Sequence, residues 1–220
     1  MNLRVFKQPL IITKTLIAIN IFIYLLMTLA GGSQNLLVLV KFGAKVNVLL
    51  ADGQLWRLFT PMFLHIGIEH LVLNMVTLYF IGGQIERMFG ARSYLTIYLL
   101  SGIGGNLASF AFNPSISAGS STAIFGMFGA FLMLVEHFKN NAYLKAVGKN
   151  FILFIVLNVI FSLTSNTDLS GHLGGLMGGF LLAYVFGPSA LKIPKHRRII
   201  AGVAIIIIYG LMWNIGLKNI

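Results

Sequence analysis

The chain of 220 residues is 57% hydrophobic and 10% charged, with a mean hydropathy of +0.88, against about 45–50% and 25% in an ordinary soluble domain. This composition excludes a water-soluble enzyme, and the excess of 16 Lys and Arg over 5 Asp and Glu reads as the charge asymmetry of a membrane protein rather than as a nucleic-acid surface. With no cysteine in the chain, thiol nucleophiles, disulfides and thiolate metal sites are excluded, so covalent chemistry falls to Ser, Thr, Lys or a carboxylate.

Seven apolar runs of spanning length are predicted, which at ~20 residues each occupy roughly 140 positions and leave ~80 for ends and connections. The first, residues 9–30, follows Arg4 and Lys7 and is too long for a secretory signal core, so a retained signal anchor is expected. A long connection from Gly31 to about Gly67 carries Trp56 and Arg57 among many apolar residues and is expected to lie in the membrane interface. Further spans are predicted over residues 68–88, 93–112, 121–138, 150–165 and 169–187, and a wholly uncharged one over 199–217.

Between the last two runs stands a basic stretch, Lys192, Lys195, Arg197 and Arg198. Placing it in the cytoplasm fixes the rest by parity. Arg4, Lys7, Lys14, Arg87, Arg92, Lys139, Lys145 and Lys149 join it inside, and of the 16 Lys and Arg only Lys41, Lys45, Arg57 and Lys218 fall outside. The N-terminus is therefore expected inside and the C-terminus outside.

Polar residues at membrane depth are expensive and call for a reason. His65, His70 and Asn74 cluster at the start of the second span, Ser121 opens the fourth, and His172 stands near the start of the sixth. Even-numbered spans run in one direction, and at 1.5 Å per residue His70, Ser121 and His172 share a depth to within ~5 Å. A hydroxyl on one helix and an imidazole on another suit nucleophile activation, because serine attacks well only when a positioned base takes its proton. Gly171, Gly175 and Gly179 form one stripe, and Thr122, Gly126 and Ala130 a matching one beside Ser121. Packing the two would bring Ser121 towards His172. Such stripes also pack helices without any chemistry, and buried hydroxyls often bond their own backbone. His70 and Asn74, four apart on one helical face, either present two donors to a developing oxyanion or glue helices together.

At these residues the sequence resembles the rhomboid family of intramembrane serine proteases. The resemblance rests on Trp56-Arg57 in the first connection, His65 followed by His70-x-x-x-Asn74, Gly82-x-x-x-Glu86-x-x-x-Gly90, Gly119-x-Ser121, and His172-x-x-Gly175-x-x-x-Gly179, in that order over roughly residues 10–187. It implies an all-α polytopic membrane protein, with a six-helix rhomboid-like bundle over residues 1–190 and an additional transmembrane helix within 191–220. It implies a Ser121/His172 dyad with no third carboxylate, and an oxyanion hole from His70, Asn74 and the Ser121 backbone N–H. Phe125 would pack on the histidine ring, Gly119, Thr122, Gly175 and Gly179 around the site, and Trp56, Arg57 and His65 would be structural in the first connection. The dyad fits the chain, since Asp168 lies outside its span and Glu136 at the opposite face. The partners implied are transmembrane protein substrates with small residues at the cut and a weak helix beside it, within a lipid bilayer. No cofactor, metal or nucleic acid is implied, and the oligomeric state is not predicted. The expected location is a bacterial cell membrane.

The family usually has glycine after the nucleophile, whereas Thr122 stands here. A β-branched residue is expected to stiffen the helix and hold it from its neighbour. Rival chemistries fit poorly. His65 and His70 are five apart, hence ~140° apart around a helix and unlike the zinc-binding i, i+4 pair. Asp52 and Asp168 both fall in connections, which removes an aspartic protease. A rhomboid-like protein that only binds clients would lack the serine or histidine, and the duplicated halves of a transporter are not apparent.

Overall fold

The computed structural model describes residues 10–164 and 167–220. The predicted positions Arg4, Lys7, Pro9 and Ser165 lie outside them. Helices run α1 Ile11–Leu29, α2 Leu36–Phe42, α3 Asn47–Ala51, α4 Gly67–Thr77, α5 Gly83–Phe89, α6 Ala91–Phe112, α7 Ser121–His137, α8 Ala142–Thr164, α9 Leu169–Phe186 and α10 Lys195–Lys218. Helices α1, α6, α9 and α10 are long and apolar enough to cross a bilayer, and α7 is a shorter apolar helix. The chain is an all-α, multi-pass membrane protein, and its outer faces carry exposed Phe22, Leu29, Leu73, Phe80, Ile206 and Ile207, as a surface in contact with lipid requires.

The predicted second span is a helical rod of two parts, α4 and α5, joined through a π-turn over Leu78–Gly82. Over residues 67–89 it is roughly 34 Å long. The Gly82, Glu86 and Gly90 spacing has a local physical explanation. A side chain at Gly82 would collide with the Tyr94 hydroxyl, 2.6 Å from where its Cβ would stand. Gly90, at φ +78°, makes the left-handed turn from α5 into α6, a conformation that favours glycine. Glu86, buried to 3% exposure, accepts the Ile12 N–H at Oε1 (2.9 Å) and the Thr13 N–H at Oε2 (2.8 Å). It thus caps the first turn of α1, which has no side-chain cap of its own.

Two boundaries differ from those predicted. Helix α8 starts at Ala142, taking in Lys145 and Lys149, because Asn141 Oδ1 accepts the Leu144 N–H at 3.0 Å and caps an earlier first turn. The basic stretch after α9 is largely the first turn of α10. Arg198 donates from Nη1 to the Val185 carbonyl (2.9 Å) and from Nη2 to that of Gly187 (2.8 Å), satisfying the end of α9.

The first connection is folded rather than irregular. Between α1 and α4 it forms α2, α3 and the 3-10 turns Leu55–Leu58 and Thr60–Phe63. Arg57 is its buried fastener, with Nη1 donating to the carbonyls of Val40 (3.0 Å) and Ala44 (2.8 Å) and Nε to Gln54 Oε1 (2.7 Å), while its neighbour Trp56 is exposed.

The centre of the protein is the packing of α6, α7 and α9. Gly175 meets the Thr122 carbonyl and Gly179 the Gly126 carbonyl so closely that a methyl group at either would overlap backbone. The two small-residue stripes interlock as predicted, and the backbones approach where lipid tails would give no hydrophobic gain. Helix α10 leans on α6 and α9, with the Tyr209 hydroxyl donating to the Leu100 carbonyl at 3.0 Å and its ring lying over Gly104 and Gly178.

Candidate active site

Ser121 is the first residue of α7 and His172 the fourth of α9, and the interlocked stripes set the two ends side by side. Ser121 Oγ lies 3.0 Å from His172 Nε2. The imidazole is buried at 8% exposure and stacks on Phe125, ring centroids 4.3 Å apart and planes within 5°. With Nε2 accepting the serine proton, the neutral ring carries its hydrogen on Nδ1.

The two helix ends are held in different ways, α9 by a side-chain cap and α7 by the turn that leads into it. Asp168 Oδ1 accepts the Gly171 N–H at 2.9 Å and its carbonyl accepts that of His172 at 3.0 Å, so an acidic residue sits one turn before the histidine as an N-cap. On the other side, Gly119 at φ +142° turns the chain into α7, and a Cβ there would stand 2.8 Å from His70 Cε1. The first connection grips this turn: the Gly119 N–H donates to the Pro61 carbonyl at 2.9 Å, and His65 Nε2 lies 3.3 Å from Ser120 Oγ. Ser120, whose hydroxyl stands next to Ser121 in sequence, is thereby engaged by His65.

His70 receives the Ile66 N–H at Nδ1, 3.4 Å away, which leaves Nε2 as the protonated nitrogen of the neutral ring. That nitrogen lies beside Gly119, two residues before Ser121. Asn74 is buried and donates from Nδ2 to the His70 carbonyl at 2.9 Å, a bond within its own helix. The structure therefore gathers Ser121, His172, Phe125, Gly119 and His70 at one place and puts Asn74 one turn deeper. His65 and Arg57 support the first connection.

Thr122 does not hold α7 from its neighbours. Its carbonyl faces Gly175, while its Cβ and Cγ2 lie against Gly105 of α6 and Gly171 of α9. The expected loss of close approach is absent because glycines on two other helices leave room for the methyl.

Among the buried polar residues not singled out from the sequence is Lys45, expected only as an outside charge. Lys45 has no exposed surface and donates from Nζ to Asn47 Oδ1 (2.9 Å) and to the carbonyls of Asn113 (2.7 Å), Ser115 (2.8 Å) and Ser109 (3.4 Å). Burial pushes its ammonium down to about 8, against the opposing pull of the Asp168 charge. The signal available was a lone cation within the apolar segment Phe42-Gly43-Ala44-Lys45-Val46.

A half-buried serine paired with a buried imidazole at the ends of two tightly packed helices defines a membrane protein equipped for nucleophilic chemistry. The rhomboid domain family model matches residues 52–189. The chain is 45% identical over 199 residues to the rhomboid protease GluP of Bacillus subtilis (strain 168), an alignment covering 88% of this chain and 38% of GluP. It is 39% identical over 153 residues to RHOMBOID-like protein 1 of Arabidopsis thaliana, covering 68% of this chain and 39% of that protein. To rhomboid-like protease 3 of Toxoplasma gondii it is 35% identical over 166 residues, covering 74% and 63%. The chain belongs to the rhomboid family, and it spans less than two thirds of the length of each of these relatives.

Proposed function

We propose that this protein is an intramembrane serine protease that hydrolyses peptide bonds in or next to the transmembrane segments of other membrane proteins, near the outer face of the bilayer. The observation that carries this reading is the 3.0 Å approach of Ser121 Oγ to His172 Nε2, within hydrogen-bond reach for proton transfer. Ser121 Oγ attacks the scissile carbonyl carbon as its proton passes to His172. The C–N bond then breaks, the imidazolium returns the proton to the leaving amine, and an acyl-serine remains for water to hydrolyse with the same base. Stacking on Phe125 keeps the ring in the plane of transfer. His70 Nε2–H, the Ser121 N–H and the second N–H of Asn74 act as donors to the oxyanion of the tetrahedral intermediate.

In this reading residues 1–190 form a six-helix catalytic core and residues 191–220 a basic turn with a seventh span. The N-terminus is cytoplasmic and the C-terminus outside, in a bacterial cell membrane, as the basic residues at one end of the helices and the Bacillus relative support. Substrates are transmembrane helices with a weak segment at the cut, because a stable helix keeps its carbonyls in its own hydrogen bonds. No cofactor enters the chemistry.

The test is a fluorophosphonate probe on the purified protein, together with cleavage of a reporter transmembrane substrate. Labelling and cleavage are expected in the native protein and neither in Ser121→Ala; His172→Ala should lose cleavage while still folding and inserting. Full activity in either variant sinks the dyad, and a folded native protein that neither labels nor cleaves would instead be a silent member of the family that binds membrane clients.

A further inference from the structure

We propose that Lys45 is a positioning residue for the reaction: its buried ammonium fastens the α6–α7 connection to the first connection and thereby sets where Ser121 stands relative to His172. The inference rests on the proteolytic reading of the Ser121 site.

An ammonium is strongly hydrated, so burying one without full compensation is costly. Here each N–H of Lys45 has an acceptor: one on Asn47 beside it in sequence, and the carbonyls of Asn113 and Ser115 far from it, with the Ser109 carbonyl a longer contact. Asn47 Nδ2 adds bonds to the carbonyls of Phe110 (3.2 Å) and Asn113 (3.3 Å). Three of these carbonyls belong to the last turn and C-cap of α6, of which that of Ser109 also accepts the Asn113 N–H while those of Phe110 and Asn113 lie where a helix leaves acceptors that a donor or cation satisfies well. With its acceptors this side chain closes the end of α6.

The backbone then carries the connection onward. Lys45 and Ser117 form an isolated antiparallel bridge, Lys45 N–H to Ser117 carbonyl at 2.9 Å and Ser117 N–H to Lys45 carbonyl at 3.2 Å, and Ser117 Oγ meets Ser109 Oγ at 3.0 Å. Ala118, Gly119 and Ser120 alone separate this bridge from Ser121, and Gly119 is held in turn by Pro61. There is no slack over three residues in which a shift of the bridge could dissipate. On the other side, the charge of Asp168, the N-cap of α9, acts on the same ammonium. The chain segment delivering Ser121 thus refers to one cation, which touches neither Ser121 nor His172. With its pKa near 8, Lys45 carries its charge at neutral pH.

A displacement of about 1 Å at a reacting atom can cost 10²-fold in rate, whereas substrate binding along the helices depends little on this loop. The measurements are the rate of fluorophosphonate labelling per folded molecule, and kcat and KM for a transmembrane reporter, in native protein, Lys45→Met, Lys45→Ala and Asn47→Ala. Lys45→Met is expected to lower labelling and kcat by about tenfold or more with KM within about threefold. Asn47→Ala, which keeps the ammonium but removes one of its acceptors and the amide bonds to Phe110 and Asn113, should show a smaller fall in the same direction. In Lys45→Ala, millimolar ethylammonium should restore part of the labelling rate and tetramethylammonium, which has no N–H, should not. Labelling of Lys45→Met at the native rate per folded molecule overturns the proposal, whatever happens to thermal stability. Should Lys45→Met fail to fold, unchanged labelling in Asn47→Ala, or equal rescue of Lys45→Ala by both cations, overturns it. Native protein that does not label at all fails the proteolytic reading and takes this inference with it, an outcome separate from equal labelling of native and variant protein.

Discussion

Thr122 shows how a single residue is read differently by two helices and by three. Considered on α7 alone, its methyl threatens the close contact with α9; considered with both neighbours, it fills the room left by Gly105 of α6 and Gly171 of α9. Its hydroxyl, by contrast, is buried without a hydrogen-bond partner, and such a group costs about 1–3 kcal/mol. Thr122→Val keeps the shape and removes the unpaired hydroxyl, so it should raise stability by about 1 kcal/mol with labelling of Ser121 unchanged. Thr122→Gly should lower stability, losing the packed methyl and adding the ~0.5–1 kcal/mol that glycine costs in a helix. Thermal unfolding of the purified variants orders the three proteins Val, native, Gly; a Val variant less stable than native would mean that the hydroxyl has a partner. The shared depth of His70, Ser121 and His172 was legible because it needs only helix rise counted from span ends. Gly105 was not, since nothing local in the sequence says which face of α6 meets α7. Lys45 was equally hidden, for its carbonyl acceptors lie 64, 68 and 70 positions away and any residue type could supply them.

Among the helices, the ones predicted from apolar runs keep their centres and shift at their ends. Caps decide ends, and a cap such as Asn141 is a single polar residue in an unremarkable stretch. The first connection was the least legible part, because its fold depends on Arg57 reaching carbonyls 13 and 17 positions back rather than on any periodicity. Helix α10 lies beyond the stretch, roughly residues 10–187, that carries the family motifs. Its contacts make it a brace on α6 and α9: besides Tyr209, Trp213 packs on Phe110 with ring centroids 5.3 Å apart, and Asn219 Nδ2 donates to the Ala111 carbonyl at 2.9 Å. Truncation after Lys192 should therefore leave Ser121 labelling detectable in the folded fraction while lowering the unfolding temperature. Tyr209→Phe, which loses one hydrogen bond, should cost only about 0.5–1.5 kcal/mol. Complete loss of labelling in folded truncated protein would place α10 within the catalytic core.

On the scale of the whole molecule, its two ends differ in kind. The end bearing Ser121 and His172 is built from turns, caps and the folded first connection; at the other, Glu136 of α7 accepts from Tyr184 of α9 and pairs with Arg197 of α10 at 3.2 Å, tying three helices beside Lys139. Positive charge collects there, and under the proposed orientation this is the end that faces the cytoplasm. A reporter fused after Ile220 should read as outside and one inserted in residues 192–194 as inside; both on one side would mean that α10 does not cross. The capping of α1 by Glu86 has a further consequence, one of timing. The acceptors for the first amides of α1 lie 73 and 74 positions later in the chain, so when α1 leaves the ribosome those acceptors have not yet been made. Until the rod formed by α4 and α5 has entered the bilayer, the start of α1 must stay where water can reach it, and its final depth is set only when that rod arrives. Membrane insertion of this protein is then not a sequence of independent helices: α1, made before the rod of α4 and α5, settles only after it.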